Sequence, residues 1–258
     1  MAVRNTTLVP LHRTPGARRT LVGLSFFGGG TAPYQSWAAA LPAGTDLAVL
    51  CYPGREGRFA EPFARDWDEL ATDVTRTLRE AASDDLGPYV LFGHSMSGWM
   101  AFDVAARLDG DAAHRPEALV LSSCNAPDRG LTDNERRPLP GDADERMLRW
   151  LETHGLLPPH VRENPGLTEL ALELMRADIA VRDTYAYDGA EVSVPLHVLT
   201  GADDPLISAD VSARWRRLAR GPHRHDVLGG GHFYTPEIWR TLPSRIAPLH
   251  ATATGSAP

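Results

Sequence analysis

The chain has 258 residues, of which 43% are hydrophobic, and its formal net charge is -7. A chain of this length buries roughly 75% of its unfolded surface, which excludes disorder for most of it and suits one large domain or two small ones. The negative charge argues against nucleic acid as a partner, because phosphate backbones are bound by basic side chains. All 26 basic residues are arginine, which excludes lysine-dependent mechanisms such as Schiff-base formation.

The cysteines and the apolar runs bear on the cellular compartment. The two cysteines cannot form a disulfide framework, and Cys51 follows the apolar run 47–50, where a buried thiol is expected. The first residues lack the apolar core and cleavage site of a signal peptide, and no later stretch has the ~20 apolar residues of a membrane span. We therefore expect a soluble cytoplasmic protein with no membrane partner.

Short apolar runs alternate with helical patterns along much of the chain. The runs are continuously apolar, which indicates strands buried on both faces, as in a parallel sheet between two layers of helices. Apolar residues recur at helical spacing over 66–82 and 97–108, and a further helix is predicted over 209–220. We predict an α/β fold in a single domain over 1–258, with a mostly parallel sheet flanked by helices. The predicted strands are residues 21–27, 47–52, 89–92, 118–122, 196–200 and 225–228.

The alternation of strands and helices stops at about 128–190. This stretch is predicted to contain helices alone, over 144–153 and from 167 to about 185. In open α/β sheets ligands bind at the carboxyl ends of the strands, where an insertion leaving the sheet can cover them. We therefore predict an inserted helical lid, with an ordinary pair of packing helices as the alternative. The tails, through residue 19 and from about 251, are expected to be loose.

Residues 92–98 have the sequence Phe-Gly-His-Ser-Met-Ser-Gly and lie between a predicted strand and a predicted helix. A nucleophile elbow has this position, and its sharp turn needs small residues two places before and two places after the serine. Gly93 meets the first requirement for Ser95, and Ser97 replaces the glycine at the second. With Ser97 as nucleophile, the indole of Trp99 would occupy a small position and block the close approach. The pattern therefore favours Ser95.

A serine hydroxyl needs an adjacent base, which a carboxylate must orient. The fifth predicted strand is followed by Asp203 and Asp204, and the sixth by three glycines and His232. The order serine, aspartate, histidine is that of α/β-hydrolases, and each residue follows a strand. We predict a triad of Ser95, Asp204 and His232. Asp203 is the alternative carboxylate, but the spacing Gly-x-x-Asp from Gly201 favours Asp204.

The glycines at 28–30 follow the first predicted strand. They do not form a dinucleotide loop, because a proline replaces the third glycine, and a phosphate loop would need a lysine. We predict that this loop supplies one backbone N–H of an oxyanion hole and that Met96 supplies the other. A plain strand-to-helix turn is the alternative. His223 and His225 lack a third ligand nearby, so we predict no metal and no cofactor.

The predicted helix 209–220 carries a group of basic side chains, Arg214, Arg216, Arg217 and Arg220. Cations near the end of a helix are favoured by the helix dipole. The favoured interpretation is therefore a solvated helix face, and docking of an acidic partner is the alternative.

Four motifs resemble those of the stand-alone (type II) thioesterases that accompany modular polyketide and nonribosomal peptide synthases. They are Tyr-Pro-Gly-Arg-Glu-Gly-Arg at 52–58, Phe-Gly-His-Ser-Met at 92–96, Arg176-Ala177-Asp178 with Tyr185, and Gly-Gly-His-Phe at 230–233. The resemblance covers nearly the whole chain, from the glycine loop to Phe233. The sequence departs from the family pattern at Ser97, usually glycine, and at 25–28, where Phe-Pro-x-Ala is usual.

The resemblance implies an α/β-hydrolase fold and hydrolysis of acyl groups from the phosphopantetheine thiol of acyl or peptidyl carrier proteins, for editing or release. Gly28 matches the position of the loop donor in the family pattern, so the resemblance implies that its backbone N–H contributes to the oxyanion hole. Trp99, near the serine, is expected to line the acyl pocket. An acyl transferase or cyclase using the same acyl-serine intermediate is the alternative enzyme, and a silent binding protein is the alternative of another class. We expect a monomer.

Overall fold

The computed structural model describes residues 7–84 and 86–251. Seven strands form one sheet in the order β1-β3-β2-β4-β5-β6-β7, in which β1 is antiparallel to β3 and every other pair is parallel. The predicted mostly parallel sheet with flanking helices is confirmed. The strands are β1 Leu8–His12, β2 Arg19–Leu24, β3 Thr45–Leu50, β4 Tyr89–His94, β5 Ala118–Ser122, β6 Leu196–Gly201 and β7 His223–Leu228.

Helices cover both faces of the sheet. The α-helices are α1 Trp67–Asp84, α2 Met96–Leu108, α3 Asp144–Thr153, α4 Pro159–Arg162, α5 Pro165–Asp183, α6 Val211–Leu218, α7 Pro236–Arg240 and α8 Ala247–His250. Short 3₁₀ helices lie at Ala32–Ala40, Glu56–Arg58, Pro127–Arg129 and Leu242–Arg245. No helix within residues 7–84 and 86–251 combines the length and apolar character that crossing a bilayer requires.

The central strand β4 shows why the predicted strands are continuously apolar. Successive side chains of a strand point to opposite faces of its sheet. Leu91 joins the core shared with α1 and α2, whereas Val90 and Phe92 join the core on the other face, next to Trp37. Both faces are buried, so the side chains that alternate between them at 90–92 are all apolar.

Two predictions at the first part of the chain are wrong. The tail through residue 19 was expected to be loose, but in its described part β1 pairs with β3 at the edge of the sheet, and residues 1–6 lie outside the described residues. The residues of β1 are mostly half-buried, so its sequence lacks the apolar run that marks the central strands. The predicted strand 21–27 is also too long, because β2 ends at Leu24 and the chain turns into a loop there. The expectation for the tail after residue 251 lies outside the described residues.

The chain leaves the sheet after β5 and returns at β6. We call residues 123–195 the helical insertion; it contains α3 over the predicted bounds, α5 shifted by two residues at each end, and the unpredicted short helix α4. Met147 and Leu151 of α3 and Met175 and Ile179 of α5 are buried in the main core. That the insertion acts as a movable lid stays a prediction.

Candidate active site

Ser95 lies in the turn between β4 and α2 with a backbone φ of 57° and ψ of -126°. A residue with a side chain in this region is strained, and the surrounding packing must hold it there. A Cβ on Gly93 would lie 2.0 Å from the backbone oxygen of Ser97, and a Cβ on Gly98 would lie 2.5 Å from the sulfur of Cys124. The two glycines therefore allow α2 to approach the sheet closely enough to form the elbow.

Ser97 replaces the usual glycine without disturbing this packing. The close contact with Gly93 involves the Ser97 backbone, so the side chain is not the obstacle. The Ser97 hydroxyl is buried and donates to the carbonyl oxygen of Ser25, and the Tyr52 hydroxyl donates to it at 3.4 Å. The two departures from the family pattern, at Ser97 and at Ser25, are thus joined by a hydrogen bond.

His232 lies between Ser95 and Asp204. Its Nε2 is 2.9 Å from the Ser95 Oγ, and its Nδ1 is 2.8 Å from Asp204 Oδ2. The Asp204 side chain is fully buried, and its other oxygen accepts the backbone N–H of Leu206 at 3.0 Å. A carboxylate can only accept, so Nδ1 carries the proton and Nε2 faces the serine as an acceptor. Asp203 is exposed.

The loops after β6 and β7 are packed backbone against backbone. A Cβ on Gly201 would lie 2.2 Å from the backbone oxygen of Gly231, and the Asp203 amide donates to the Gly230 oxygen at 2.9 Å. Gly230 has a φ of +95°, which favours glycine. These contacts bring the carboxylate of Asp204 and the imidazole of His232 into hydrogen-bond distance.

The structure contradicts Gly28 as a donor of the oxyanion hole. Its amide donates to the buried Asp178 at 2.7 Å, and Gly28 does not line the cavity above Ser95. Phe27 and Met96 do line that cavity, and their amides make no hydrogen bond to the other described residues. The missed signal was the end of the strand: the prediction kept Phe27 inside it, whereas β2 ends three residues earlier.

The cavity above Ser95 has a volume of about 600 Å³, within the usual range for small-molecule sites. Trp99, predicted to line the pocket, lines it. The helical insertion contributes Trp150, His154 and Arg182, none of which the sequence had singled out. The insertion therefore forms part of the wall of this cavity.

Two further histidines lie near His232. His94 and His154 have ring centroids 5.2 and 6.3 Å from the ring of His232. Burial lowers the pKa of both, and in His94 the nearby His232 adds to this effect. Both rings are therefore neutral at neutral pH and place no positive charge beside the imidazole of His232.

A buried ion pair ties the helical insertion to the glycine loop. The guanidinium of Arg55 binds both oxygens of Asp178, at 2.6 and 3.0 Å, and also donates to the carbonyl oxygen of Gly29 at 2.9 Å. The side chains are 6% and 2% exposed. Burial opposes the charge of Arg55, but Asp178 outweighs it and raises the pKa of the guanidinium. Two of the four motifs, 52–58 and 176–178, thus meet beneath the active site.

The arginines of the predicted helix 209–220 are engaged within the chain. Arg214 and Arg217 both pair with Asp128, and Arg220 pairs with Glu191. Arg216 donates to the carbonyl oxygen of Ala219. These contacts support the interpretation as a solvated helix face. They leave no unpaired arginine among these four for docking an acidic partner.

Ser95 lies in a nucleophile elbow, hydrogen bonds join it to His232 and Asp204, and each of the three residues follows a strand. These features define a serine hydrolase of the α/β-hydrolase fold. Comparison with known proteins narrows the class. Residues 19–246 match the family described as Thioesterase domain. The chain belongs to this thioesterase family.

Comparison with individual proteins is consistent with this family assignment. The chain is 32% identical over 236 residues to the AMB antimetabolite synthetase AmbE of Pseudomonas aeruginosa, covering 90% of this chain but only 11% of that protein. It is 29% identical to the thioesterase PikA5 of Streptomyces venezuelae, covering 96% of this chain and 86% of PikA5. The solved structure of the type II thioesterase BorB from the borrelidin biosynthetic cluster superposes with a TM-score of 0.79 at 32% identity, over 95% of this chain and 97% of BorB.

Proposed function

We propose that this protein is a type II thioesterase that hydrolyses acyl groups from the phosphopantetheine thiol of carrier proteins in polyketide or nonribosomal peptide biosynthesis. The observation that carries the proposal is the continuous hydrogen-bonded chain from Ser95 through His232 to Asp204, opening into a cavity of about 600 Å³. PikA5 is named a thioesterase and BorB a type II thioesterase of a biosynthetic cluster, which supports thioester hydrolysis in a biosynthetic pathway.

The first step is attack of Ser95 on the thioester carbonyl. His232 Nε2 accepts the serine proton, and Asp204 holds the imidazole and stabilises its positive charge. The neutral state of His94 and His154 helps here, because a second cation nearby would oppose formation of the imidazolium.

The oxyanion that forms on the carbonyl needs two preorganised donors. We assign them to the amides of Met96 and Phe27. Met96 is the first residue of α2, so its N–H points out of the helix amino terminus, where the helix dipole favours negative charge. The Phe27 amide lies on the opposite loop, which the Arg55–Asp178 pair and the Asp178–Gly28 hydrogen bond hold in place.

The thiolate departs as the acyl enzyme forms and takes the proton from the His232 imidazolium, which leaves free thiol and a neutral imidazole. A thiol has a pKa near 8.5, so it leaves with less acid assistance than an amine or an alkoxide needs. Water, deprotonated by His232, then attacks the acyl-serine and releases the acid and free Ser95. No step requires a metal or a cofactor.

The test is a panel of acyl-carrier-protein thioesters and matching small-molecule acyl thioesters, with products identified by mass spectrometry. Free acid together with free thiol is the expected product. A lactone, amide or ester as the main product would instead make the protein a cyclase or acyl transferase. Labelling of Ser95 by a fluorophosphonate separates either enzyme from a silent binding protein, in which the serine would not react.

A further inference from the structure

Arg182 is a buried cation in the wall of the active-site cavity. It lies in α5, lines the cavity that contains Ser95, and has a side chain only 4% exposed. Nε donates to Asp183 Oδ1 at 2.8 Å, and Nη2 donates to the carbonyl oxygen of Pro138 at 3.2 Å. Nη1 makes no hydrogen bond to the residues that the structure describes. One donor nitrogen of this guanidinium is therefore left without a partner.

The guanidinium lies over the side chain of Phe27, which also lines the cavity above Ser95. Its Cζ is 5.7 Å from the centroid of the Phe27 ring, and Phe27 is the residue whose amide we assign to the oxyanion hole. An acyl chain whose carbonyl reaches that amide extends into the same cavity. Arg182 is thus placed to contact the acyl chain.

The unpaired Nη1 keeps some contact with solvent, since it is not among the fully buried polar side-chain atoms that lack a partner in the described part of the chain. Burial, together with the nearby Arg136, lowers the pKa of Arg182 more than Asp183 raises it. Much of the surrounding wall is apolar, including Leu131 and Trp150. A hydrocarbon chain in the cavity would leave the donor unsatisfied, whereas a chain with an acceptor oxygen would satisfy it.

The charges around the cavity favour an acceptor over a donor on the substrate. Outside the triad, the charged side chains among the described lining residues are Arg137, Arg182 and Glu135. Glu135 is itself paired with Arg129 at 2.6 Å. Arg182 is likewise paired with Asp183 at 2.8 Å, so among the described lining residues the charge without an ion pair is that of Arg137, and it suits an oxygen with free lone pairs.

We propose that Arg182 is a specificity-determining residue that selects acyl chains bearing a hydrogen-bond-accepting oxygen, such as a hydroxyl, a keto group or a carboxylate, over plain hydrocarbon chains. The substituent accepts a hydrogen bond from Nη1. This inference rests on the proposed thioesterase function and narrows its substrate class.

The experiment compares kcat/KM for acyl thioesters of equal chain length that are unsubstituted, hydroxylated at C3 or C5, or carboxylated at the chain end. The wild-type protein is expected to hydrolyse at least one oxygenated chain roughly tenfold better than the plain chain, the gain typical of a hydrogen bond to a charged group. In Arg182→Met this ratio falls to about one, because the oxygenated substrate loses its partner while the plain chain does not. Arg182→Lys restores part of the ratio.

The matched control is Arg149→Met, which removes an exposed arginine of α3 that pairs with Glu145 and does not line the cavity. Its substrate ratio stays that of the wild type. A wild-type ratio near one, or an equal loss of the ratio in both methionine variants, overturns the proposal. The hydroxylated and carboxylated arms show which oxygen the site takes, and thermal melting of each variant shows that it is folded.

A binding measurement separates this inference from the proposed function. Ser95→Ala is titrated calorimetrically with the plain and oxygenated thioesters, alone and combined with Arg182→Met. Tighter binding of an oxygenated chain that depends on Arg182 supports the inference even if the wild type hydrolyses nothing. Equal binding of all chains refutes it even if hydrolysis is fast.

Discussion

The carboxyl edge of the sheet and the helical insertion form two sides of the same cavity but are held in different ways. At the sheet edge, the backbone of one loop lies directly against another: a Cβ added at Gly93, Gly201 or Gly230 would lie 2.0 to 2.5 Å from the nearest backbone atom. In the insertion, α5 is held by side chains through the Arg55–Asp178 pair, and Tyr185, two residues after α5, packs against Trp67 with the ring centroids 4.1 Å apart.

We expect the sheet edge to determine the chemical step and the insertion to determine which acyl chains bind. Triad geometry tolerates little displacement, and backbone contacts between glycines give the least freedom to move. The insertion supplies Trp150, His154 and Arg182, which line the cavity but are not part of the hydrogen-bonded chain from Ser95 to Asp204. Side chains can be exchanged there without altering the loops that hold the triad. Substitutions on the two sides should therefore have effects of different kinds.

The largest effects are expected at the sheet edge. Ser95→Ala and His232→Ala should each lower kcat/KM for thioester hydrolysis about 10⁴-fold or more, because triad residues act as a unit. Steady-state detection of released thiol measures this. His160→Ala, an exposed histidine of α4, is the control and should retain wild-type turnover. Near-native turnover of either triad variant would remove the basis of the proposed function.

The adjacent aspartates give the next comparison. Asp204→Asn should lower kcat about 10³- to 10⁴-fold, because an amide at this position favours the wrong imidazole tautomer. Asp203→Asn should remain close to the wild type, since its side chain is exposed. Parallel kinetics of the two variants decide the assignment. The reverse ranking would transfer the orienting role to Asp203.

Apart from the side chains that line the cavity, the insertion should respond chiefly in stability. Asp178→Asn leaves Arg55 buried without its counter-ion, which should lower the free energy of unfolding by about 3–5 kcal/mol. Asp144→Asn breaks the exposed pair with Arg176 on the same insertion and should cost less than about 1 kcal/mol. Urea unfolding measures both. Equal losses would mean that the buried pair does not anchor α5.

The smallest effect concerns local opening within the insertion. The stretch 130–142 contains no helix and is largely exposed, whereas α5 buries one face. Trypsin is therefore expected to cleave after Arg129 or Arg136 before it cleaves after Arg176, whose peptide bond lies in a helix. Timed digestion with mass spectrometry identifies the first cut. A first cut within α5, with 130–142 intact, would contradict this ranking.

Central elements were predictable because burial on two faces leaves an unambiguous pattern. The bounds of β5 and α3 agree with the prediction, and the elbow follows from the small residues that its turn demands. The edge strand β1 was missed because it is only half-buried and lacks such a pattern. The Gly28 amide, predicted as the loop donor, is bound by Asp178, because β2 stops earlier than composition shows and the backbone turns there.

The sequence alone predicts the fold class, the nucleophile and the candidates for its base and carboxylate. These depend on local spacing and on the order of the strands. Contacts between segments far apart in the chain decide the rest. Asp204 rather than Asp203 meets His232 because of how two loops pack, and Asp178 takes the Gly28 amide from 150 positions away. Such pairings arise only when the chain is folded, since no local pattern encodes which distant group a donor will find.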